Sequence, residues 1–238
     1  MSIDAHSFSQ FYASAQGAVV ARLLRARLWQ IWPDLSDCSL LGIGYASPYL
    51  RMHQGASHAA RCILFTPTHI GPVSFPGTGP GLSCTGEDDR LPFPDLSFDR
   101  IMLIHGLEVS DNGRRLLREV WRVLKDDGRL LVVAPNRRGM WAHVESTPFG
   151  QGQPYSPGQI GRLLTSGFFR IERRDTALYL PPWRWRLVLR NAHLCESVGR
   201  FLAPQLAGVT ITEAVKDLYN VVPLGAASMR RMVVTEGL

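Results

Sequence analysis

Two side chains near the middle of the chain are suited to proton transfer. His105 follows an apolar segment, and Glu108 stands three residues after it. Histidine titrates close to neutral pH, so His105 could act as a general base or form part of the wall of a cofactor pocket, and Glu108 could orient a loop or polarise an acceptor. The same two residues would also suit a hydrogen-bonded histidine at a strand end and an exposed acid at a helix start. His105 and Glu108 are therefore candidate catalytic residues.

Candidates for holding an acceptor molecule lie farther along the chain. Arg137 and Arg138 directly follow an apolar segment. Two guanidinium groups at that place could clamp a carboxylate or a phosphate. Tyr155 closes a loop rich in glycine and proline, and it could line the same pocket. Solvated loop arginines and ordinary loop residues are the alternative interpretation of this predicted substrate-binding set.

Closely spaced glycines after an apolar segment mark a possible ligand site in the first part of the chain. Gly42 and Gly44 follow the apolar residues 38–41, and Ser47 with Pro48 is typical of a helix start. Such a turn lets backbone N–H groups approach a phosphate or a nucleotide at a helix N-terminus. A tight turn without any ligand would use the same residues.

The elements that position these residues alternate along the chain. Apolar runs predict buried strands, and apolar residues at every third or fourth position predict helices. The predicted strands are 38–41, 62–65, 99–104, 130–134, 168–180 and one within 208–222. The predicted helices are 7–30, 116–124 with Gly128 as its C-terminal cap, 157–166 and 183–202. This order predicts an α/β fold with a parallel sheet and a late antiparallel pair at its edge.

Composition narrows the classes of protein that the chain can belong to. Hydrophobic residues make up 45% of the 238 positions and charged residues 19%, which is a globular composition. No apolar run approaches the about 20 residues of a membrane-spanning helix, and the N-terminus does not resemble a signal peptide. The four cysteines and the remaining histidines show no metal-ligand spacing, so we expect no metal and a reduced, cytoplasmic protein.

The net charge of +6 comes entirely from the part of the chain after residue 136. A basic C-terminal part suits an anionic acceptor, a membrane surface or an acidic partner. The run 183–186 interleaves aromatic and cationic residues, so it could stack on nucleic acid bases or rest on a membrane. Trp183, Leu187 and Leu194 stand at helical spacing, however, which favours a helix that faces the core.

Three segments resemble motifs of the class I S-adenosylmethionine-dependent methyltransferases, of the methyltransferase type 11 kind. Glu87–Asp99 is similar to the family's acidic stretch that ends in Leu-Pro-Phe and Ser-Phe-Asp. His105–Glu108 and Leu117–Leu130 resemble the family's segments that follow. The resemblance implies a Rossmann-like fold, a mostly parallel seven-stranded sheet with helices on both faces. The resemblance covers roughly 38–180. Because no repeat or long linker appears, we expect a single domain over 1–238, made of a helical cap at 1–37, a core at 38–180 and a C-terminal helix and last strand at 181–238.

The same resemblance implies S-adenosylmethionine as the cofactor. The positions that would contact it are Gly42, Gly44, Tyr45, Glu87, Asp88 and His105. The glycines and Tyr45 match contacts to the methionine and ribose, the two acids match contacts to adenine, and His105 would lie near the sulfonium. The sequence departs from the family at Leu40, Ala46 and 65–67, where two acids and a glycine are missing. Losing a charge-assisted hydrogen bond of about 1.5–3 kcal/mol would weaken cofactor binding by roughly one to two decades.

Two functions of different classes follow from these residues. The first is methyl transfer to a small or anionic acceptor molecule. The second is a catalytically inactive methyltransferase-like protein that acts as a binding partner. A nucleic-acid acceptor is disfavoured because the Asn/Asp-Pro-Pro motif of amino-methylating DNA enzymes is absent, and the methyltransferase-like segments disfavour an oxidoreductase. For the enzyme we predict an open cavity that reaches from Gly44 and His105 to the surface. Arg137, Arg138 and Tyr155 should point into this cavity. The sequence is compatible with any oligomeric state.

Overall fold

The computed structural model of the chain describes residues 4–51, 59–73, 75, 82–183 and 186–218. Seven strands form one sheet: β1 (Ser39–Gly44), β2 (Arg61–Pro67), β3 (Ser83–Gly86), β4 (Phe98–Ile104), β5 (Leu124–Pro135), β6 (Phe169–Ala177) and β7 (Val209–Lys216). Their order in the sheet is β3-β2-β1-β4-β5-β7-β6. The first five pair in parallel, and β7 is antiparallel to both β5 and β6. The predicted mostly parallel sheet with an antiparallel edge is confirmed.

Helices cover both faces of this sheet. They are α1 (Ala5–Ala13), α2 (Ala15–Ile31), α3 (Ser47–Leu50), α4 (Gly113–Val123), α5 (Pro157–Ser166), α6 (Arg186–Arg190) and α7 (Ala192–Leu202), with 3-10 turns at Met140–His143, Pro148–Gly150 and Pro204–Leu206. Successive strand residues point to opposite faces. Leu40 therefore packs in the core that α2 covers, and Leu41 packs in the core that α4 and α5 cover.

The predicted single helix over 7–30 is in fact two helices, α1 and α2, that meet at Ser14. Ser14 has an extended backbone, and its hydroxyl accepts the N–H of Gly17 as the N-cap of α2. A Cβ on Gly17 would lie 2.0 Å from the carbonyl oxygen of Phe11, so the two helix backbones can approach this closely only at glycine. Apolar spacing alone did not reveal the break, because both helices continue the same pattern. The break turns α1 across the carboxyl ends of the strands.

Three other local predictions need correction. Helix α4 ends at Val123 and passes directly into β5, so Gly128 lies inside a strand and caps no helix. Ala46, not Ser47, is the N-cap of α3, and the cap makes no side-chain hydrogen bond. Strand β3 lies outside the predicted strands, in a segment rich in glycine and proline, and it extends the sheet by pairing with β2.

The C-terminal helical region also differs from the prediction. The segment 183–202 contains two helices, α6 and α7, in place of one. The side chains of Trp183 and Leu194 are exposed, so the expected core-facing helix is wrong at both positions. The side chain of Leu187 lies outside the described residues.

Candidate functional site

The candidate site lies where β1 and β4 end side by side. Gly44 pairs with Ile104, and the N–H of Tyr45 donates to the Ile104 carbonyl at 2.9 Å. Gly44 has a φ of +86°, and a Cβ there would lie 2.4 Å from the same carbonyl oxygen, so this position requires glycine. His105 follows at once with a φ of +52° and a buried side chain. A buried histidine in the left-handed region is uncommon, and such strain is concentrated at functional sites.

Four side chains form a continuous hydrogen-bonded chain, which we call the His105 cluster: His105, Glu108, Tyr12 and Tyr49. Nδ1 of His105 lies 3.0 Å from Oε1 of Glu108. Nε2 of His105 lies 2.7 Å from the hydroxyl of Tyr12, which in turn lies 2.8 Å from the hydroxyl of Tyr49. The cluster joins α1, α3 and the end of β4, although Tyr12 and His105 are 93 positions apart in the sequence.

The chemistry of the cluster fixes which atom can accept a proton. An ionised Glu108 can only accept a hydrogen bond, so Nδ1 of His105 must donate to it. In the neutral ring, Nε2 is then left to accept the hydroxyl proton of Tyr12. Burial raises the pKa of Tyr12 well above its ordinary value, with Tyr49 as the next cause. Tyr12 therefore stays protonated and donates, and Oε2 of Glu108 has no partner within the described part of the chain.

Aromatic side chains fill the space above Gly44 and His105. The ring centroids of Phe8 and Phe149 lie 5.1 Å and 4.9 Å from that of His105. Tyr45 stacks on Phe8 at 4.8 Å and on Tyr12 at 5.6 Å. The predicted open cavity at this place is therefore wrong: helix α1 closes it with Phe8 and Tyr12.

The loop 147–155 packs beside the cluster. The N–H of Gln153 donates to the Glu108 carbonyl at 2.8 Å. Tyr155 is half-buried, its hydroxyl is 3.5 Å from the Leu107 carbonyl, and burial followed by the charge of Glu108 raises its pKa. The loop is joined to the next candidates because the Arg137 N–H donates to the Tyr155 carbonyl at 3.1 Å.

The two candidate arginines lie at the rim of this region. Arg137 and Arg138 follow β5, and both side chains are exposed. The backbone of Arg138 is held by the side chain of Asn136 at 3.2 Å. The structure thus brings Tyr155 next to Glu108 and leaves both guanidinium groups in solvent at the same edge of the sheet.

The other predicted cofactor contacts lie on β1 and after β3. Gly42 is inside β1, paired on both sides, and a Cβ there would lie 2.6 Å from the Leu50 side chain. Glu87 is exposed, and its Oε1 accepts the hydroxyl of Thr68 at 2.9 Å. Oδ2 of Asp88 is buried without a hydrogen-bond partner among the described residues. Such an orphaned acceptor at a strand end is an observation that calls for a ligand or water.

The described residues fit only one end of S-adenosylmethionine. The unpartnered oxygen of Asp88 beside the exposed Glu87 suits a donor such as the amino group of adenine. At the other end, Phe8 and Tyr12 fill the space above Gly44. The sequence from β2 to residue 73 also contains no acid that could accept ribose hydroxyls. In this conformation the site therefore does not fit the whole cofactor, and α1 would have to move to admit it.

Sequence reasoning missed the residues that α1 contributes. Phe8, Phe11 and Tyr12 were grouped with the apolar face of one long helix, although Phe8 and Tyr12 reach His105 and Tyr45. Two aromatic residues four positions apart on an N-terminal helix were the available signal, since such residues share one helix face.

Among the described residues, no group of three or more histidine, cysteine or acidic side chains could hold a metal ion. No helix in the same part of the chain has the length and hydropathy needed to cross a membrane.

Comparison with known sequences identifies a methyltransferase segment. Residues 73–132 match the family described as methyltransferase domain. A demethylmenaquinone methyltransferase of Thermotoga maritima is 31% identical over 96 residues, which is 39% of this chain and 40% of that protein. A ubiquinone/menaquinone biosynthesis C-methyltransferase of Bordetella avium is 43% identical over 51 residues, 21% of this chain and 20% of that protein. The chain thus spans well under half the length of the curated relatives that it matches.

Comparison with solved structures supports the fold. A possible histamine N-methyltransferase from Thermotoga maritima aligns with a TM-score of 0.57 at 14% identity, over 89% of this chain and 95% of that one. A chain from the complex of a Haloferax volcanii methyltransferase with its activator aligns with a TM-score of 0.61 at 15% identity, over 88% of this chain and 97% of that one.

Proposed function

We propose that the chain is a class I S-adenosylmethionine-dependent methyltransferase that methylates a hydroxyl group on a small molecule. One observation supports the hydroxyl: the Tyr12 hydroxyl lies 2.7 Å from Nε2 of His105, whose other ring nitrogen is held by Glu108. When bound, S-adenosylmethionine would supply an electrophilic methyl group.

His105 and Glu108 have defined roles in this proposal. Nε2 of His105 accepts the proton of the acceptor hydroxyl, and the Glu108 carboxylate stabilises the imidazolium that forms. Burial strengthens the interaction between the two charges, since water does not screen them. Tyr12 marks the position of that hydroxyl when α1 is closed, so the acceptor must replace it at Nε2.

The surroundings of the cluster favour a flat acceptor. The Tyr12 ring stacks on Tyr45 at 5.6 Å and meets the edge of Tyr49 at 6.0 Å, so an aromatic ring in its place would find the same two partners. Two of the relatives are named for demethylmenaquinone and for ubiquinone/menaquinone biosynthesis, which agrees with a ring of this kind. Exposed Arg137 and Arg138 would contact an anionic substituent that extends toward solvent.

A second candidate function rests on the filled space above Gly44. A methyltransferase-like protein that no longer uses the cofactor could keep α1 packed there permanently, and the missing ribose acid agrees with such a loss. The two candidates differ in one property. The enzyme must open α1 to bind, whereas the non-catalytic protein has no need to open it.

Titration calorimetry with S-adenosylhomocysteine separates the two candidates. The wild type, Phe8→Ala and Glu87→Ala are each titrated to millimolar ligand. Binding with a larger affinity in Phe8→Ala supports an enzyme whose closed helix competes with the ligand, because the apparent affinity scales with the open fraction. A weaker affinity in Glu87→Ala, by about 1–3 kcal/mol, supports adenine at the end of β3.

Phe169→Ala is the matched control, since Phe169 is an equally buried phenylalanine in the opposite core. It destabilises the fold without touching α1 and should leave the affinity unchanged. Absence of binding in the wild type and in a folded Phe8→Ala variant would favour the non-catalytic candidate. An equal gain in Phe169→Ala would show that general loosening, not release of α1, admits the ligand.

A further inference from the structure

Helix α7 carries an apolar face that points into solvent. Leu194, Val198, Phe201 and Leu202 are 62%, 46%, 87% and 71% exposed, and we call these four residues the α7 stripe. They occupy positions i, i+4, i+7 and i+8, which lie on one side of a helix. An apolar face of this size on a monomer is unusual and marks an interaction surface.

The opposite side of α7 fixes the orientation of the stripe. The carboxylate of Glu196 accepts the backbone N–H groups of Leu178 and Tyr179 at 3.2 Å and 2.6 Å. Gly199 packs on Tyr179 so closely that a Cβ would lie 2.5 Å from the tyrosine Cβ. Rotating α7 to bury the stripe would break these contacts, so its exposure is built into the fold.

A groove that contains two arginines borders the stripe along one flank. His193, Ser197 and Arg200 of α7 face Arg27 of α2 across a groove of about 420 Å³. Arg27 is paired with Asp175 at 3.1 Å. The carboxylate of Glu196 accepts the backbone N–H of Tyr179, just after the end of β6. Arg200 has no ion pair closer than 4.0 Å in the described part of the chain, and its guanidinium is free for an anion.

We propose that this face docks on an anionic lipid bilayer. The α7 stripe enters the boundary between headgroups and acyl chains, and Arg200 at the groove receives a lipid phosphate. An exposed amphipathic helix with Phe and Leu on one side and arginines beside them is the usual form of an interfacial helix. The excess of +6 carried after residue 136 gives the same complementarity at longer range.

Charge distinguishes a bilayer from a second copy of the chain. A symmetric dimer through the stripe would bring Arg200 of both copies close to the same interface, and like charges there oppose association. An anionic surface satisfies the apolar and the basic parts together. This surface is independent of methyl transfer, since none of its residues belongs to the His105 cluster.

Vesicle co-sedimentation of the full chain tests the proposal. The wild type should sediment with phosphatidylcholine vesicles that contain phosphatidylglycerol, and the bound fraction should fall with phosphatidylcholine alone or at high salt. Phe201→Asp and Arg200→Glu should each weaken binding about tenfold or more. The matched controls are Leu96→Asp, at another exposed leucine, and Arg118→Glu, at an exposed arginine on α4, and both should bind as the wild type does.

Companion measurements on the same proteins separate the other occupants of the face. Wild type that does not sediment with anionic vesicles overturns the proposal. Dimers in sedimentation analysis that Phe201→Asp dissociates, without vesicle binding, would assign the face to a second copy. A much larger loss of melting temperature in Phe201→Asp than in Leu96→Asp would show that another segment of the chain covers it. Binding that persists in both Phe201→Asp and Arg200→Glu would place the contact elsewhere.

Discussion

Removing one hydroxyl group, in Tyr12→Phe, tests the closed state of α1 most directly. The ring keeps its stacking on Tyr45, but two buried hydrogen bonds disappear: the 2.7 Å bond to His105 and the 2.8 Å bond to Tyr49. The acceptor nitrogen of His105 and the Tyr49 hydroxyl remain buried, so each loses its partner without gaining water. The change therefore acts on the closed conformation and adds no new contact.

The expected magnitudes follow from those two bonds. Leaving buried polar groups unsatisfied costs about 1–3 kcal/mol, so the free energy of unfolding should fall by that amount. For a chain of this size the melting temperature should fall by roughly 2–4 °C per kcal/mol. The same destabilisation of the closed state should raise the apparent affinity for S-adenosylhomocysteine by up to about 5–150-fold. Lower stability combined with higher affinity is the diagnostic result.

The assays are chemical denaturation and calorimetric titration of the same preparations. Tyr155→Phe is the matched control, because its hydroxyl makes only a 3.5 Å contact to the Leu107 carbonyl and the variant should change either quantity little. Unchanged stability in Tyr12→Phe would refute the energetic role of the hydrogen-bonded chain. A fall in affinity would refute closure, because α1 would then be part of the binding surface.

Two further predictions concern the turn at Gly44 and the ion pair between Arg122 and Glu119 on α4. Gly44→Val should abolish S-adenosylhomocysteine binding and lower the melting temperature, because its Cβ would lie 2.4 Å from the Ile104 carbonyl oxygen. Thermal melts and calorimetric titration of the variant check the two effects. An affinity equal to that of the wild type would rule out the turn as a ligand contact. Arg122→Met should flatten the acid limb of the stability curve. The Arg122 guanidinium lowers the pKa of Glu119, so its contribution is present above the unfolded value of about 4.3 and is lost as pH falls through the lowered folded pKa. Chemical denaturation at several pH values from about 3 to 7, a range that includes the titration of Glu119, checks this prediction. Parallel curves of stability against pH for the variant and the wild type would contradict it.

Local pattern was sufficient for most of the sheet. The apolar runs at 99–104 and 130–134 became β4 and β5, and the stripe at 116–124 became α4. Such apolar residues must be buried wherever they lie, so their spacing along the chain predicts whether they form a strand or a helix. Strand β3 was missed because its short, half-exposed sequence has no apolar run, and its pairing with β2 stabilises it.

Some residues of the candidate site could also be predicted from the sequence. His105 and Glu108 stand three positions apart at a strand end, and the structure joins them at 3.0 Å. Tyr155 was expected near the same place and lies beside Glu108. Short spacing at the end of a strand limits where such side chains can go, and the chain has little freedom to separate them.

The amino-acid sequence by itself therefore determined the parallel core, the methyltransferase-like segments and the choice of His105 and Glu108 as candidate residues. Only the tertiary structure decided that the predicted helix 7–30 breaks at Ser14, that α1 closes over His105, and that the α7 stripe faces outward. Periodicity shows which side of a helix is apolar, but it does not show what that side will meet. Tyr12 meets His105 across 93 positions, and α7 is held by a carboxylate on the backbone at Tyr179. Both outcomes depend on packing between distant segments, which no local pattern encodes.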